Sequence, residues 1–283
     1  MSRIAYVNGR YVPQAAAHVH VEDRGLQFAD GVYEVTFVLG GRMVDEDPHM
    51  ARLKRSLETL AMAMPMSEAA LGAVLRETIA RNRLVDGIVY VQINRGVAPR
   101  AHAYPKGPLR PSVVVTVKPM AAPATVDGWA GVPVVTVPDL RWKRVDVKTV
   151  GLLANCMAKQ TAAEAGAYEA WMVDDGGCVT EGSSTTAWIV DRDGRAVTRP
   201  LGHDILPGIT RATVLALARR HGVSVEERPF TVAEARGARE AFLTSTTGRT
   251  NDAVIGNGAV GSVTRTLLGL YLDHARGAGL AAA

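Results

Sequence analysis

The order of strand and helix patterns along the chain is the feature that most restricts its fold. Strand patterns occur in clusters joined by short turns, and helical patterns fall between the clusters instead of alternating with single strands. Regular alternation would predict a parallel sheet covered by helices, so this order predicts an α+β (mixed α/β) fold. The Ala- and Pro-rich stretch 119–127 is typical of a linker. We therefore expect a small N-terminal α/β domain at 1–118, an interdomain linker at 119–127 and a larger C-terminal α/β domain at 128–283 that carries Lys148.

The N-terminal part opens with a predicted β-hairpin, because Asn8-Gly9 separates two short apolar stretches. The spacing of leucine and methionine predicts two helices, interrupted near Pro65 and Ser67. The long stretch 95–111 contains several prolines and glycines and predicts a functional loop. The predicted strands are 4–7, 11–12, 32–39, 88–94 and 112–117, and the predicted helices are 50–64 and 71–79.

The C-terminal part is predicted to contain a meander of short strands with glycine-rich turns. Gly222 is expected to end one helix, and Thr231 with Glu234 has the spacing of a capping box that begins another. The predicted strands are 132–137, 141–148, 170–173, 178–180, 185–190, 196–198 and 241–244, and the longer predicted helices are 153–165, 210–221 and 262–275.

The composition argues against several classes of protein. The 283 residues are 47% apolar with a net charge of +4, yet the basic residues are scattered, which favours anionic small molecules over nucleic acid as partners. Cys156 and Cys178 have neither a disulfide framework nor metal-ligand spacing, so no metal is expected. The first residues turn polar before a signal peptide could form, and no run of about 18 apolar residues is present. These features predict a soluble, cytoplasmic protein with no membrane partner.

Lys148, one of six lysines, ends the alternating stretch 141–148. On a strand, Val145 and Val147 would face one side and Asp146 and Lys148 the other. An amine at the end of such a strand, followed by mostly apolar residues, can lose its water and act as a nucleophile. A solvated surface lysine is the ordinary alternative, and this stretch alone does not distinguish the two.

Three short segments in the second half combine hydroxyl side chains with small residues, at 181–185, 207–211 and 244–248. Ile209 and Thr210 open a predicted helix, where free amides and the helix dipole attract phosphate. Ser245 and Thr246 directly follow a predicted strand. Each segment alone also fits a capped turn, but the three together favour a site for a dianion.

Five further side chains are candidates for binding. Glu181 ends a predicted strand, where its carboxylate could hold a protonated ring nitrogen or lie exposed in a turn. Arg52, on a predicted helix, would be a phosphate ligand if it faced inward. Arg100 and His102 lie two residues apart in the long loop, so an extended chain would direct both to one side, where they could bind a carboxylate. Tyr33 would add a phenolic donor, unless its role in the strand is structural.

Nine short stretches, among them Asp23-Arg-Gly-Leu-Gln-Phe-Ala-Asp-Gly-Val-Tyr-Glu34, match one enzyme family in residues and order. They are 23–34, 49–53, 95–105, 141–148, 158–160, 166–170, 179–184, 208–211 and 244–247. On these stretches the chain resembles the fold-type IV pyridoxal-phosphate aminotransferases over nearly its whole length. The Arg-x-His loop is similar to that of the D-amino-acid aminotransferases.

This resemblance implies the cofactor pyridoxal 5'-phosphate. Lys148 is expected to hold it as an internal aldimine and to move the proton between the substrate Cα and the cofactor C4′. Glu181 is expected to pair with the pyridinium nitrogen, which keeps the ring an electron sink. The residues similar to the family's phosphate ligands are Arg52, Ile209, Thr210, Ser245 and Thr246. Those similar to its trap for the substrate α-carboxylate are Tyr33, Arg100 and His102, with Arg100 and His102 contributed across the interface of a homodimer.

The predicted activity is transamination of D-amino acids, of the D-alanine or D-glutamate type, with 2-oxoacids such as 2-oxoglutarate or pyruvate. The carboxylate trap carries this prediction, because its position decides which enantiomer presents its Cα–H to the lysine. Phe37 and Thr186 stand where some relatives have a basic residue and Asn, which leaves the preference for large acidic substrates open. The alternatives are a branched-chain L-amino-acid aminotransferase, an (R)-selective amine transaminase, an aminodeoxychorismate lyase, or a protein that binds a phosphate ligand without catalysis.

Overall fold

The computed structural model of the chain describes residues 3–121, 131–246 and 260–277. These residues form two compact units, the first containing 3–121 with Val147–Gly151 and the second containing 131–146, 152–246 and 260–277. The predicted boundary put Lys148 in the C-terminal domain, whereas the structure packs its segment with the first unit. The predicted linker lies outside the described residues from position 122 onward. In the described ranges, no helix has the length and apolar character needed to cross a membrane.

The first unit is built on a six-stranded antiparallel sheet with the strand order β2-β1-β6-β5-β3-β4. The strands are β1 Ile4–Val7, β2 Arg10–Pro13, β3 Gly31–Leu39, β4 Arg42–Met43, β5 Gly87–Asn94 and β6 Ser112–Pro119, and the helices are α1 Arg24–Phe28, α2 Glu46–Thr59 and α3 Glu68–Arg81.

The predicted local features of this unit are confirmed. Asn8 and Gly9 have φ values of +48° and +98°, which suits a two-residue hairpin turn, and Val7 pairs with Arg10. The Ser67 side chain accepts a hydrogen bond from the Ala70 amide at 3.2 Å and begins α3. Helix α2 starts four residues before the predicted position, because acidic residues and a proline are well tolerated in a first turn.

One face of this sheet packs against α2 and α3. Leu53, Leu57 and Leu71 are buried there against Val32 and Ile93. Because side chains alternate along a strand, Tyr33 lies on the opposite face of β3, where its cross-strand partner is Gln92. The hydrophobic core thus lies on one face of the sheet, and the candidate site residue Tyr33 lies on the other face.

The second unit contains two sheets. The three-stranded sheet has the order β7-β8-β9, and the four-stranded sheet has the order β12-β11-β10-β13. The strands are β7 Val134–Pro138, β8 Glu169–Val173, β9 Val179–Gly182, β10 Thr186–Val190, β11 Ala196–Thr198, β12 Val225–Glu227 and β13 Glu240–Thr244, and the helices are α4 Leu153–Glu164, α5 Ile209–Arg220, α6 Val232–Arg236 and α7 Ser262–Gly277.

Two predictions for this part were wrong. The strands near 170–198 do not form one meander, because β9 and β10 belong to different sheets. The stretch 141–148 is not a strand but a series of turns and bends. At its start the Arg141 amide donates to Asp139 Oδ1 at 3.1 Å, a local side-chain bond in place of pairing with a neighbouring strand. The capping signals were correct. Thr231 Oγ1 accepts from the Glu234 amide at 3.1 Å, and Gly222 has a φ of +72° just after α5.

Candidate active site

Lys148 is held by main-chain hydrogen bonds at the edge of the first unit's sheet. The Tyr33 amide donates to the Lys148 carbonyl at 3.0 Å, and the Val150 amide donates to the Gly31 carbonyl at 3.1 Å. Strand β4 covers only the far end of β3, so the segment Val147–Gly151 takes the edge that β4 leaves open. The lysine thus occupies a fixed backbone position beside Tyr33.

The Lys148 side chain is half-buried, with its Nζ 4.3 Å from the centre of the Tyr33 ring. An ammonium group at this distance is attracted by the ring face. Among the described residues of the first unit, none hydrogen-bonds or ion-pairs with the Nζ. The structure brings these two predicted site residues together, and no carboxylate among the described residues of this unit pairs with the amine.

Arg52 faces inward, as its predicted role as a phosphate ligand requires, and is 3% exposed. Its Nε donates to Glu34 Oε1 at 2.7 Å and its Nη2 to Glu34 Oε2 at 2.8 Å. His49 Nδ1 lies 2.8 Å from the same carboxylate. Sequence reasoning missed Glu34 and His49, although both fall within the matched stretches, because their contact depends on how α2 packs on β3.

Arg52 dominates the electrostatics of the buried cluster that it forms with Glu34 and His49. Burial alone would raise the pKa of Glu34, but the charge and hydrogen bonds of Arg52, helped by His49, lower it to about 2. Burial lowers the pKa of His49; Glu34 opposes this shift, whereas Arg52 and Lys148 reinforce it. Glu34 is therefore charged at neutral pH.

Tyr33 also contacts a chain of polar side chains on β5. Its ring lies 5.5 Å from that of Tyr90, whose hydroxyl donates to Gln92 Oε1 at 2.7 Å. Gln92 Nε2 donates to Asn94 Oδ1 at 2.8 Å, and Asn94 Nδ2 donates to Asp23 Oδ1 at 2.7 Å. Burial and the neighbouring Tyr33 raise the pKa of Tyr90 to about 12, so this phenol is a hydrogen-bond donor at neutral pH.

Arg100 and His102 lie in the predicted loop between β5 and β6, and both are exposed. The Arg100 guanidinium is 4.6 Å from the centre of the Phe28 ring, and the His102 ring is 5.5 Å from it. In the described structure neither side chain hydrogen-bonds or stacks on Tyr33 or Lys148. Within the described part of one chain, Arg100 and His102 are thus grouped on Phe28 and make no hydrogen bond or ring contact with Tyr33.

Glu181 is buried at the end of β9, so the alternative of an exposed turn residue was wrong. Its carboxylate accepts from Arg141 Nη1 and lies 3.3 Å from the Leu206 amide. Arg141 also donates to Asp139 Oδ2 at 2.6 Å and to Thr180 Oγ1 at 3.2 Å. Burial opposes the charge on Arg141, but Asp139 and Glu181 raise its pKa above the usual value. The sequence did not single out this arginine.

The hydroxyl segment after Glu181 does not have the predicted role of binding an anion. Ser183, Ser184 and Thr185 all donate their hydroxyls to the carboxylate of Glu169, Ser184 at 3.0 Å and Thr185 at 3.2 Å. Glu169 is completely buried. The hydroxyls hold the connection between β9 and β10 around a buried charge.

The start of α5 retains the features predicted for it. Its N-cap, Gly208, has no side chain to satisfy the first turn, and the Ala212 amide donates to the Gly208 carbonyl at 3.0 Å. In the described part of the unit, the amides of Ile209 and Thr210 donate to no acceptor. Ser245 and Thr246 follow β13 and are half-buried, whereas Thr247 lies outside the described residues.

A family model described as "Amino-transferase class IV" matches residues 31–250, a span that includes Lys148, Glu181 and the start of α5. The chain belongs to the class IV aminotransferases. The resemblance found in the sequence is therefore confirmed at the level of the family.

Individual class IV aminotransferases and related structures agree with this result. The chain is 39% identical over 266 residues to a protein named D-alanine aminotransferase from Bacillus licheniformis, covering 92% of this chain and 93% of that one. A branched-chain amino acid aminotransferase of Escherichia coli has a TM-score of 0.88 at 22% identity, with 96% and 94% of the two chains covered. A branched-chain aminotransferase of the archaeon Thermoproteus uzoniensis, solved with norvaline, has a TM-score of 0.84 at 28% identity, with 96% and 94% covered. The predicted α+β fold of fold type IV is confirmed.

Proposed function

We propose that this protein is a pyridoxal-phosphate-dependent aminotransferase that transfers the amino group of D-amino acids, of the D-alanine or D-glutamate type, to 2-oxoacids such as pyruvate or 2-oxoglutarate. The observation that carries the proposal is the Lys148 amine, which lies over the Tyr33 ring without a carboxylate partner among the described residues of its unit. Membership of the class IV aminotransferases supports the reaction, and the similarity to a D-alanine aminotransferase supports the substrate.

The residues present fit the cofactor. A phosphate is favoured by the uncapped start of α5, where the amides of Ile209 and Thr210 have no acceptor in the described part of their unit. The buried Glu181 would provide an anionic partner for the ring nitrogen of the cofactor. Pyridoxal phosphate, when bound, supplies an electron-withdrawing ring that stabilises negative charge on the substrate Cα. We assign the remaining phosphate contacts to Arg52, Ser245 and Thr246.

Lys148 has two roles in this proposal. Its Nζ would hold the cofactor covalently and, once the substrate amine has displaced it, would take the proton from the substrate Cα; both roles require an amine that is not engaged in an ion pair. The main-chain bonds to β3 and the Tyr33 ring hold the Nζ in one place. A base that is held in one position loses little conformational entropy when it reaches the reactive geometry.

Glu34 supports the role of Arg52. The two hydrogen bonds from Nε and Nη2 to one carboxylate fix the plane of the guanidinium. Because the pKa of Glu34 is lowered to about 2, the carboxylate that holds this plane is charged at neutral and mildly acidic pH.

Tyr33, Arg100 and His102 are proposed to bind the substrate α-carboxylate, with Arg100 and His102 supplied by the second copy in a homodimer. Two observations support this division: both loop residues are exposed, and within the described part of one chain neither has a hydrogen bond or ring contact with Tyr33. The homodimer and the cytoplasmic location remain predictions.

Absorbance and reductive trapping test the cofactor and the lysine. The purified protein is expected to be yellow, to lose its colour on borohydride reduction and to retain one cofactor on the peptide that contains Lys148. The Lys148→Ala variant is expected to fold but to retain no cofactor after reduction and denaturation. A protein that stays colourless after incubation with pyridoxal phosphate would contradict the proposal.

Three amino donors separate the possible substrates. D-Alanine is expected to bleach the yellow form, whereas L-leucine and (R)-1-phenylethylamine are not. Bleaching by L-leucine alone would favour the branched-chain enzyme, and release of pyruvate from an aminodeoxychorismate without a 2-oxoacid would favour the lyase. The Arg100→Ala variant is expected to raise the half-saturating concentration of D-alanine strongly, because a bidentate partner of the carboxylate is lost.

A further inference from the structure

We propose that Arg24 is a positioning residue for substrate recognition: it fixes the backbone of residues 100–103, here called the clamp loop, and thereby directs Arg100 and His102. This inference rests on the proposed function, in which Arg100 and His102 bind the substrate carboxylate. Arg24 itself is 2% exposed, so its proposed role is to position other residues.

Arg24 binds the clamp loop through its carbonyl groups. Its Nη1 donates to the Ala101 carbonyl at 2.6 Å and to the Ala103 carbonyl at 3.4 Å, and its Nη2 donates to the His102 carbonyl at 3.4 Å. The clamp loop has no helix or strand of its own, so its conformation depends on such contacts. One guanidinium therefore contacts three successive carbonyls with donors held in a fixed plane, a geometry that the flexible point charge of a lysine does not provide.

Asp30, which directly precedes β3, anchors the guanidinium of Arg24. Asp30 Oδ2 accepts from Arg24 Nε at 2.7 Å and from Arg95 Nε at 2.7 Å. The Arg24 amide donates to the Gly96 carbonyl at 2.9 Å, and the Arg95 amide donates to the Asp30 carbonyl at 3.0 Å. Burial opposes the charge on Asp30, but the hydrogen bonds from the two arginines lower its pKa below the usual value. The Asp30 carboxylate is thus charged at neutral pH.

Phe28, on the same short helix as Arg24, provides the surface on which the clamp side chains lie. The centre of its ring is 4.8 Å from the Arg24 guanidinium, 4.6 Å from that of Arg100 and 5.5 Å from the His102 ring. Cationic and aromatic groups at these distances attract one another. Arg24 fixes the backbone of the loop and Phe28 fixes the side chains.

These contacts all lie within one chain. The clamp loop therefore has its conformation before a second copy could receive it, and a preformed loop loses less entropy when it binds a carboxylate. A change at Arg24 should act on substrate binding only through Arg100 and His102, which distinguishes positioning from a general structural role.

A double-mutant cycle measures this dependence. The wild type, Arg24→Lys, Arg100→Ala and the double variant are mixed with D-alanine in single turnovers, and the half-saturating concentration and the maximal rate of bleaching are recorded. In the wild-type background, Arg24→Lys should raise the half-saturating concentration roughly ten-fold or more, with the maximal rate less affected, because the carboxylate clamp is misplaced. In the Arg100→Ala background, where only His102 remains for Arg24 to position, the same change should raise the half-saturating concentration clearly less than it does in the wild type.

Arg95→Lys is the matched control. It removes the other arginine of the Asp30 pair. Its guanidinium donates to the Leu60 and Ala61 carbonyls and stacks 3.6 Å from the centre of the Tyr104 ring, directly after the clamp loop, but it donates no hydrogen bond to residues 100–103. It should lower stability to urea about as much as Arg24→Lys does while leaving the half-saturating concentration within about two-fold. If Arg24→Lys does not fold, Arg24→Gln, which keeps an amide donor, enters the cycle in its place.

The possible results separate a failure of the positioning role of Arg24 from a failure of the proposed function. Equal effects of the Arg24 change with and without Arg100, or an unchanged half-saturating concentration in the wild-type background, would overturn the positioning role while leaving the proposed function intact. A wild-type holoenzyme that D-alanine does not bleach would overturn the proposed function and the positioning role with it.

Discussion

Replacement of Glu34 by Gln removes a buried charge while keeping the size of the side chain. Its carboxylate and the Arg52 guanidinium are 2% and 3% exposed, so solvent screens their interaction little. The pKa of Glu34 falls from 4.5 to about 2 on folding, a shift of roughly 2.5 units. At about 1.4 kcal/mol per unit, this corresponds to a contribution of about 3 to 4 kcal/mol at neutral pH. Breaking a buried ion pair by removing one partner typically costs about 3–5 kcal/mol, which agrees.

We expect Glu34→Gln to lower the free energy of unfolding by about 3 kcal/mol at pH 7, measured by urea titration of the cofactor-free protein, and to lower Tm by roughly 10 °C. The control is Glu77→Gln. That carboxylate pairs with Arg81 at 2.7 Å on the surface of α3, and its loss should cost only about 0.3–0.5 kcal/mol.

The pH dependence gives a second test of the same reasoning. The pKa of Glu34 is depressed in the folded state, so its contribution is complete above the unfolded value of about 4.5 and disappears as the pH falls from there towards 2. The difference in unfolding free energy between wild type and Glu34→Gln should therefore shrink between about pH 5 and pH 3. A difference below about 1 kcal/mol at pH 7, or one that stays constant down to pH 3, would refute the assignment of a charged, paired Glu34.

Three further substitutions test other parts of the structure. Glu169→Gln should lower the free energy of unfolding by about 2 kcal/mol in urea, because three hydroxyls lose a charged acceptor; a loss under about 0.5 kcal/mol would show that the buried charge is unimportant. Gly25→Ala would place a Cβ 2.1 Å from Asn94 Cγ and should cost about 1–3 kcal/mol, read as a lower Tm, whereas an unchanged Tm would contradict the packing. Arg141→Leu leaves the buried Glu181 without its arginine and should cost about 3 kcal/mol or more in urea, and full stability would argue against that ion pair.

Local signals predicted the local structure well. The Asn8-Gly9 turn, the Ser67 cap and the Thr231 capping box were correct because each depends on residues within three or four positions of one another. The family resemblance located the candidate site residues, including Lys148, by matching motifs. Residue patterns alone had left that lysine indistinguishable from a surface charge.

Long-range partners could not be read in the same way. The alternation that predicted a strand at 141–148 is a local pattern, but the main chain just after it pairs with β3, more than a hundred residues earlier. The serines and threonine after Glu181 have the composition of an anion site, yet a glutamate 14–16 positions before them accepts their hydrogen bonds. Glu34 and Arg52 are 18 positions apart on a strand and a helix, and their contact depends on packing that no periodicity encodes.

The pairing of Val32 with Thr149 closes a chain loop of 117 residues, the difference between the two positions. Closing a loop of this length costs about 4 kcal/mol of chain entropy, so we expect this contact to form late in folding, after the hairpins of the sheet. During synthesis on the ribosome, the start of β3 must remain an unpaired edge until residue 150 has emerged. An N-terminal fragment that stops before residue 147 would keep that edge open, and such edges template self-association. We therefore expect the segment Val147–Gly151, which carries Lys148, to protect the first unit from self-association by covering this edge.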